Sequence, residues 1–344
     1  MKEASFWDRE DGSVACHLCP HECKIGDGKR GICKIRENRG VTLFALTYGR
    51  PVSLAVDPVE KKPLFHVYPG SDIYSVGLAG CNLQCSFCQN YELSQARPED
   101  LASHDAPPET VVGNAKERGC RGIAFTYNEP VISIEYAMDT FEIAHREGLF
   151  TCFVTNGYIN PEPAEEVAKL LDCANVDFKS SEPEFYRKLC KAPRLDSVKE
   201  TIRIWDENDV SIELTNLIIP GENDSEEVLD GVIDFALEIG EDTPLHFSRF
   251  HPAYKLRDVP STPTETIESA VIRARDRGLE YVYAGNIHGS KWENTYCPEC
   301  GSVVVARSGY SLDEINLDPG NRCKECGHEI PILGTATKRS SWSF

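Results

Sequence analysis

The chain has 344 residues, 41% of them hydrophobic and 26% charged, enough apolar material for one large core with small appendages. Asp and Glu outnumber Lys and Arg by 55 to 36, for a formal charge of −19, which disfavours non-specific phosphate binding and gives no strong nucleic-acid signal. No apolar run approaches the roughly 20 residues of a membrane span, and the charged start MKEASFWDRE lacks a signal-peptide core, so a cytoplasmic protein with no membrane attachment is expected.

Fifteen cysteines in such a chain point to metal or cluster ligation, because cytosolic thiols are kept reduced and no disulfide framework is expected. They form sets of four, three and four, with Cys120, Cys152, Cys173 and Cys190 left as singles. Residues 1–65 make a first segment. Within it Cys16, Cys19, Cys23 and Cys33 follow a Cys-x2-Cys-x3-Cys-x9-Cys pattern, with His17 and His21 interleaved. Four ligands imply a saturated site, either structural zinc or an auxiliary iron–sulfur cluster, and closed four-cysteine sites favour zinc. Residues 41–56 read as a strand pair around Gly49-Arg50-Pro51, and EKKPLFHVYPG (60–70) reads as an exposed loop carrying Lys61, Lys62 and His66.

Residues 66–290 make the second unit, where short β-rich runs alternate with helix-period runs in the manner of a parallel α/β sheet. Strands are expected at 72–78, 122–127, 149–155, 175–178, 210–218 and 244–250, with a further one at 279–285. In the helix between 131 and 147, Ile134, Ala137, Phe141 and Ala144 mark a buried face, and Gly148 stands where a C-capping glycine belongs. Six strand–helix units are too few for a full eight-fold barrel and sufficient for an open one: a partial (β/α)6 TIM-like barrel in the α/β class. A parallel barrel sets its chemistry in the loops after the strands' C-terminal ends.

Those loops hold the chain's most specific motif. The first strand runs into CNLQCSFCQN, which spaces Cys81, Cys85 and Cys88 as Cys-x3-Cys-x2-Cys. Three thiolates bind three irons of a [4Fe-4S] cube and leave the fourth open to chelate a small molecule through an amine and a carboxylate. S-adenosylmethionine (SAM) has both groups. The competing reading is a zinc knuckle that borrows a fourth ligand from one of the single cysteines. Later strand ends carry Glu129 in Tyr-Asn-Glu-Pro, Asn156 in Thr-Asn-Gly-Tyr, Lys179 in Asp-Phe-Lys, an Ile-Pro-Gly-Glu-Asn-Asp turn at 219–224, and Arg249 and His251 in Ser-Arg-Phe-His-Pro. By chemistry alone, Glu129 is either an acceptor for a cationic amine or a helix-start acid. Asp224 or Ser225 suits a helix N-cap. The third unit, 291–344, contains CPECG and CKECG. Their cysteines, Cys297, Cys300, Cys323 and Cys326, are spaced as in a zinc ribbon, in which the metal replaces a core too small to stand alone.

The Cys81 loop, with Phe87 in the aromatic slot before its third cysteine, resembles the radical SAM superfamily. The ordered Asn156, Lys179 and Pro220-Gly221 motifs resemble its pyruvate formate-lyase-activating-enzyme branch. CHLCPHEC, GKRGICKIREN and EKKPLFHVYPG make the chain similar to the radical SAM enzyme of the AmmeMemoRadiSam system. The resemblance implies that Cys81, Cys85 and Cys88 hold the cluster, with Phe87, Glu129, Asn156 and Lys179 lining the SAM pocket. It also implies reductive SAM cleavage to a 5′-deoxyadenosyl radical, an electron donor such as ferredoxin or flavodoxin, and hydrogen abstraction from a backbone glycine of a partner protein. Radical modification of a small molecule or an RNA base is the alternative, and a non-catalytic metal-binding adaptor a further one.

Overall fold

All seven β-rich runs expected between residues 72 and 285 are strands of one sheet in the computed structural model, which describes residues 1–287 and 289–338. The last six residues of the 291–344 unit therefore lie outside the described residues. Strand β1 (Ser53–Pro58) pairs antiparallel with β2 (Asp72–Gly77). From β2 the strands run parallel in chain order: β3 (Gly122–Phe125), β4 (Phe150–Thr155), β5 (Cys173–Asp177), β6 (Ser211–Ile218), β7 (Leu245–Arg249) and β8 (Val282–Gly285). Helices α1 (Pro108–Glu117), α2 (Ile134–Arg146), α3 (Pro161–Ala168), α4 (Leu195–Glu207), α5 (Glu226–Ile239) and α6 (Thr264–Asp276) occupy the six connections. The result is the expected open α/β barrel of six strand–helix units closed off by a seventh parallel strand.

Local sequence explains this layout. Strands covered on both faces need near-continuous apolar runs, and β3 is buried at every position. Helix α2 buries Ile134, Ala137, Phe141 and Ala144 completely, and Gly148 follows at φ +73°, the left-handed conformation that ends a helix without a Cβ clash.

Two expectations are corrected. Residues 41–56 contain two strands, but these do not pair with each other. Leu43–Ala45 lies between Lys2–Glu3 and Arg36–Asn38 in a separate small sheet, whereas Ser53–Pro58 extends the barrel. The six-residue register on the free edge of β2 outcompetes a hairpin across Gly49-Arg50-Pro51, whose proline lacks a donor.

The second correction concerns 60–70, which is not an exposed loop. Lys62 and His66 are buried, and Lys61 alone of the three faces solvent. The segment plugs the N-terminal end of the barrel, and the buried Glu213 carboxylate of β6 organises it. That carboxylate accepts hydrogen bonds from the Phe65 and His66 amides (3.0 and 2.7 Å) and bonds the His246 ring at 2.7 Å. Burial pushes His66 down to about 4, so at neutral pH it is an uncharged bridge between the Pro331 carbonyl and the Tyr283 hydroxyl. Lys62 is held by Asp57 at 2.6 Å, with Lys61 on the other oxygen at 2.7 Å.

Replacing Glu213 by Ala orphans two amides and an imidazole in a dry site. It is expected to cost about 3 kcal/mol or more, read as a lower urea midpoint at unchanged slope. An unchanged midpoint would contradict this account of the plug.

Candidate functional site

The chain leaves β2 through Leu78-Ala79-Gly80 and enters the three-cysteine loop at the barrel's C-terminal end. Gly80 sits at φ +90°, and a Cβ there would lie 2.6 Å from the Cys33 carbonyl oxygen, so glycine is required by both conformation and space. Cys85 is buried, and Cys81 and Cys88 are half-buried. Burial raises Cys81 and Cys88, Glu129 raises Cys81 further, and the nearby Cys85 thiol adds to both. Yet no three of these sulfurs lie mutually within 4.8 Å, since among the described residues only the C-terminal set does. That spread suits a multi-iron cube, where each thiolate meets a different iron, better than a single ion.

Successive strand ends then converge on the loop. After β3, Glu129 is buried and its Oε1 accepts from the Val131 amide (3.1 Å) and the Thr155 hydroxyl (2.6 Å), while Oε2 accepts from the Asn156 amide (2.8 Å). The helix-start reading of Glu129 holds, since it caps the turn Pro130–Ser133, and the same carboxylate lies close enough to Cys81 to disfavour that thiol's ionisation. Burial pushes its carboxyl up to about 7. After β4, Asn156 donates to Asn82 Oδ1 at 2.9 Å and reaches Cys81 Sγ at 3.8 Å. After β5, Lys179 is buried with its ammonium 2.8 Å from Asp177 and 5.9 Å from the centroid of Phe87. Burial alone would lower its pKa, but Asp177 and the Cys85 and Cys190 thiols raise it well above the usual value, so it is a fixed cation. Phe87 packs on Phe185 at 5.7 Å between ring centroids. All seven residues expected around the cluster thus lie in one neighbourhood.

The structure adds residues that sequence reasoning missed. Asn82 donates to the Tyr158 carbonyl at 2.8 Å and links the cysteine loop to the end of β4. Asn128 accepts from the Leu78 amide and donates to the Gly80 carbonyl, which explains an Asn ahead of Glu129: it braces the turn into the cysteine loop. Cys190 hydrogen-bonds Cys85, lowering the Cys85 pKa. Its segment Tyr186–Cys190 receives the Gln84 and Ser86 amides through the Cys190 and Leu189 carbonyls. Position in a cysteine-bearing loop marks Asn82 in hindsight, whereas nothing local marks Cys190. Of the two expected N-cap candidates Ser225 caps α5, through the Val228 amide, while Asp224 accepts from the Gly221 amide within the turn. His251 is exposed and bonds Ser261, while Arg249 donates to the Thr262 carbonyl.

The flanking sets differ. Cys297, Cys300, Cys323 and Cys326 gather within 4.8 Å of one another, with Sγ···Sγ distances of 3.5 Å (Cys297–Cys326) and 3.7 Å (Cys300–Cys323). Cys16, Cys19, Cys23 and Cys33 line one apolar cavity with Leu18 and Ile132 but are more spread.

Residues 76–231 match the family model of the Radical SAM superfamily. The chain is 45% identical to the uncharacterized protein MJ0808 of Methanocaldococcus jannaschii over 336 residues, covering 97% of this chain and all of that protein. It is 21% identical to the pyruvate formate-lyase 1-activating enzyme of Escherichia coli over 204 residues, 55% of this chain and 82% of that enzyme. Among solved structures, a domain of the pyruvate-formate lyase-activating enzyme from Bacteroides vulgatus covers 48% of this chain and 99% of that domain at 19% identity, with a TM-score of 0.42. With its three-cysteine loop at the head of a parallel open barrel, the chain carries a radical SAM domain over residues 76–231, and it is similar to the pyruvate formate-lyase activating enzymes.

Proposed function

We propose that this chain cleaves SAM reductively and uses the resulting radical to abstract hydrogen from a partner protein, at a backbone glycine of the kind its activating-enzyme relatives suggest. One observation carries the reading: the Cys81–Cys88 loop and three successive strand-end residues, Glu129, Asn156 and Lys179, meet at the catalytic end of the barrel. When bound to Cys81, Cys85 and Cys88, a [4Fe-4S] cluster supplies the electron that splits the sulfonium of SAM into methionine and a 5′-deoxyadenosyl radical.

The chain's own residues set up that event. An ionised carboxylate offers about four acceptor sites, and the Val131, Thr155 and Asn156 donors fill three of those on Glu129. One acceptor site on Oε2 remains for the ammonium group of SAM, a charge-assisted bond in a buried setting. Asn156 holds Asn82 and Cys81 in register with Glu129, because its amide, side-chain nitrogen and side-chain oxygen are all engaged. Lys179 places fixed positive charge beside Cys85, which offsets the thiolate charge gathered there. The electron comes from a one-electron donor such as ferredoxin or flavodoxin. Similarity to named activating enzymes, including a 27% match over 125 residues to the (2S)-3-sulfopropanediol dehydratase activating enzyme of Klebsiella oxytoca, favours a protein substrate. The compact C-terminal set holds structural zinc, for which Zn–S bonds of about 2.3 Å imply sulfurs roughly 3.8 Å apart.

Anaerobic reconstitution, dithionite reduction and chromatography should yield 5′-deoxyadenosine from SAM with the wild-type chain and none above background with Cys81→Ala; equal yields would sink the reading. Mixing the active enzyme with a candidate partner should then produce a glycyl radical signal by electron paramagnetic resonance. The Glu129 carboxyl titrates near 7 and must be charged to receive an ammonium, so SAM affinity should fall as pH drops below about 7, by up to roughly tenfold per unit. Glu129→Gln should weaken binding at pH 8 and flatten that profile in equilibrium dialysis.

A further inference from the structure

Zinc is what four cysteines in a short N-terminal segment first suggest, but the geometry of this set is not that of a zinc site. The C-terminal ribbon supplies an internal standard: its four sulfurs lie within 4.8 Å of one another, as a single tetrahedral ion demands. Among the described residues it is the only group of three or more potential ligands so tightly gathered. Cys81, Cys85 and Cys88 do not gather in that way, nor do Cys16, Cys19, Cys23 and Cys33. The N-terminal set thus resembles the cluster-binding loop, in the same molecule, rather than the ribbon.

The surroundings agree. All four thiols line one cavity walled by Leu18, Ile25, Ile32 and Ile132, and the Cys19 thiol interacts with each of the other three. Of the interleaved histidines, His17 is turned to Glu22 at 2.7 Å and His21 bonds the Asn82 carbonyl through Nε2 at 2.8 Å, while the four cysteines alone suffice to fill a cube's ligand set. Arg36, fully buried and paired with Glu135, reaches within 3.9 Å of Cys16 Sγ and offsets the negative charge that four thiolates would bring. Hydrogen bonding and charge near the sulfurs are the means by which proteins tune such clusters.

The cavity also adjoins the three-cysteine loop directly. Cys33 presents its carbonyl to Gly80, the residue before Cys81, and His21 bonds the residue after it. The Asn160 amide donates to the Leu18 carbonyl, and its side chain to that of His17.

We infer that Cys16, Cys19, Cys23 and Cys33 hold a second [4Fe-4S] cluster, seated against the loop that carries Cys81, and not a zinc ion. The inference is independent of what the SAM-derived radical acts on.

Metal and sulfide analysis of the full-length chain purified without oxygen tests it. The wild type should carry about eight irons, about eight acid-labile sulfides and one zinc per chain. Cys81→Ala/Cys85→Ala/Cys88→Ala should retain about four irons and, after reduction, a paramagnetic signal that added SAM does not change. Cys16→Ala/Cys19→Ala should lose that signal and keep a SAM-responsive one. A wild-type content of about four irons and two zincs overturns the inference without recourse to any variant. So does a triple variant that is folded by circular dichroism and free of iron and sulfide. Failure to make 5′-deoxyadenosine with eight irons in place would count against the proposed SAM chemistry alone.

Discussion

The buried carboxylate of Glu129 is the constraint on which the active end of the barrel depends. Parallel strands end in amides with no partner in the ladder, and a site built from several strand ends must satisfy those groups without water. Glu129 joins two segments in this way, receiving the Val131 amide from its own turn and both the Thr155 hydroxyl and the Asn156 amide from the end of β4. Asn156, fixed in this way, reaches Asn82 and Cys81. The position of a cysteine thiol thus traces back through two side chains to one carboxylate whose burial raises its own pKa. Part of the stability of the loop is spent in keeping a charge-ready acid out of solvent.

The same logic governs the other buried charges. The chain is strongly acidic overall, yet the cations that matter structurally are inside. Arg36 is matched to Glu135, Lys62 to Asp57 and Lys179 to Asp177. Each pair fixes the position of one segment relative to another, since an unpaired charge at such a site would cost several kcal/mol. Asp57 also receives the hydroxyl groups of Ser75 and Tyr127, so β1, β2 and the turn before Glu129 share one anion.

The barrel and the three cysteine sets were legible in the sequence because each rests on local pattern. Apolar runs of strand length alternate with three- and four-residue periodicity, and ligand spacing is short-range. The strand-end motifs are legible for the same reason, since Glu129, Asn156 and Lys179 each follow closely on a strand in sequence. What was hidden depends on partners far away in the chain. His66 looks like a surface residue until Glu213, 147 positions on, takes its amide. Cys190 looks like an idle single until a turn brings it to Cys85. The separation of Leu43–Ala45 from Ser53–Pro58 was hidden because both are plausible strands, and only competition for the edge of β2 decides which joins the barrel.

The plug at 60–70 is gripped from two sides. Glu213 and Asp57 hold it to the barrel, while the C-terminal module holds it through Arg307 on the Phe65 carbonyl, Pro331 on His66, and the mutual Leu333 amide and carbonyl contacts with His66 and Tyr68. Barrel and ribbon therefore do not melt as independent bodies, because neither can open without stripping hydrogen bonds from the strip between them. A metal held by the ribbon would lend its stability to the floor of the barrel, so starvation for that metal would be felt as an earlier melting of the whole chain and not of the module alone.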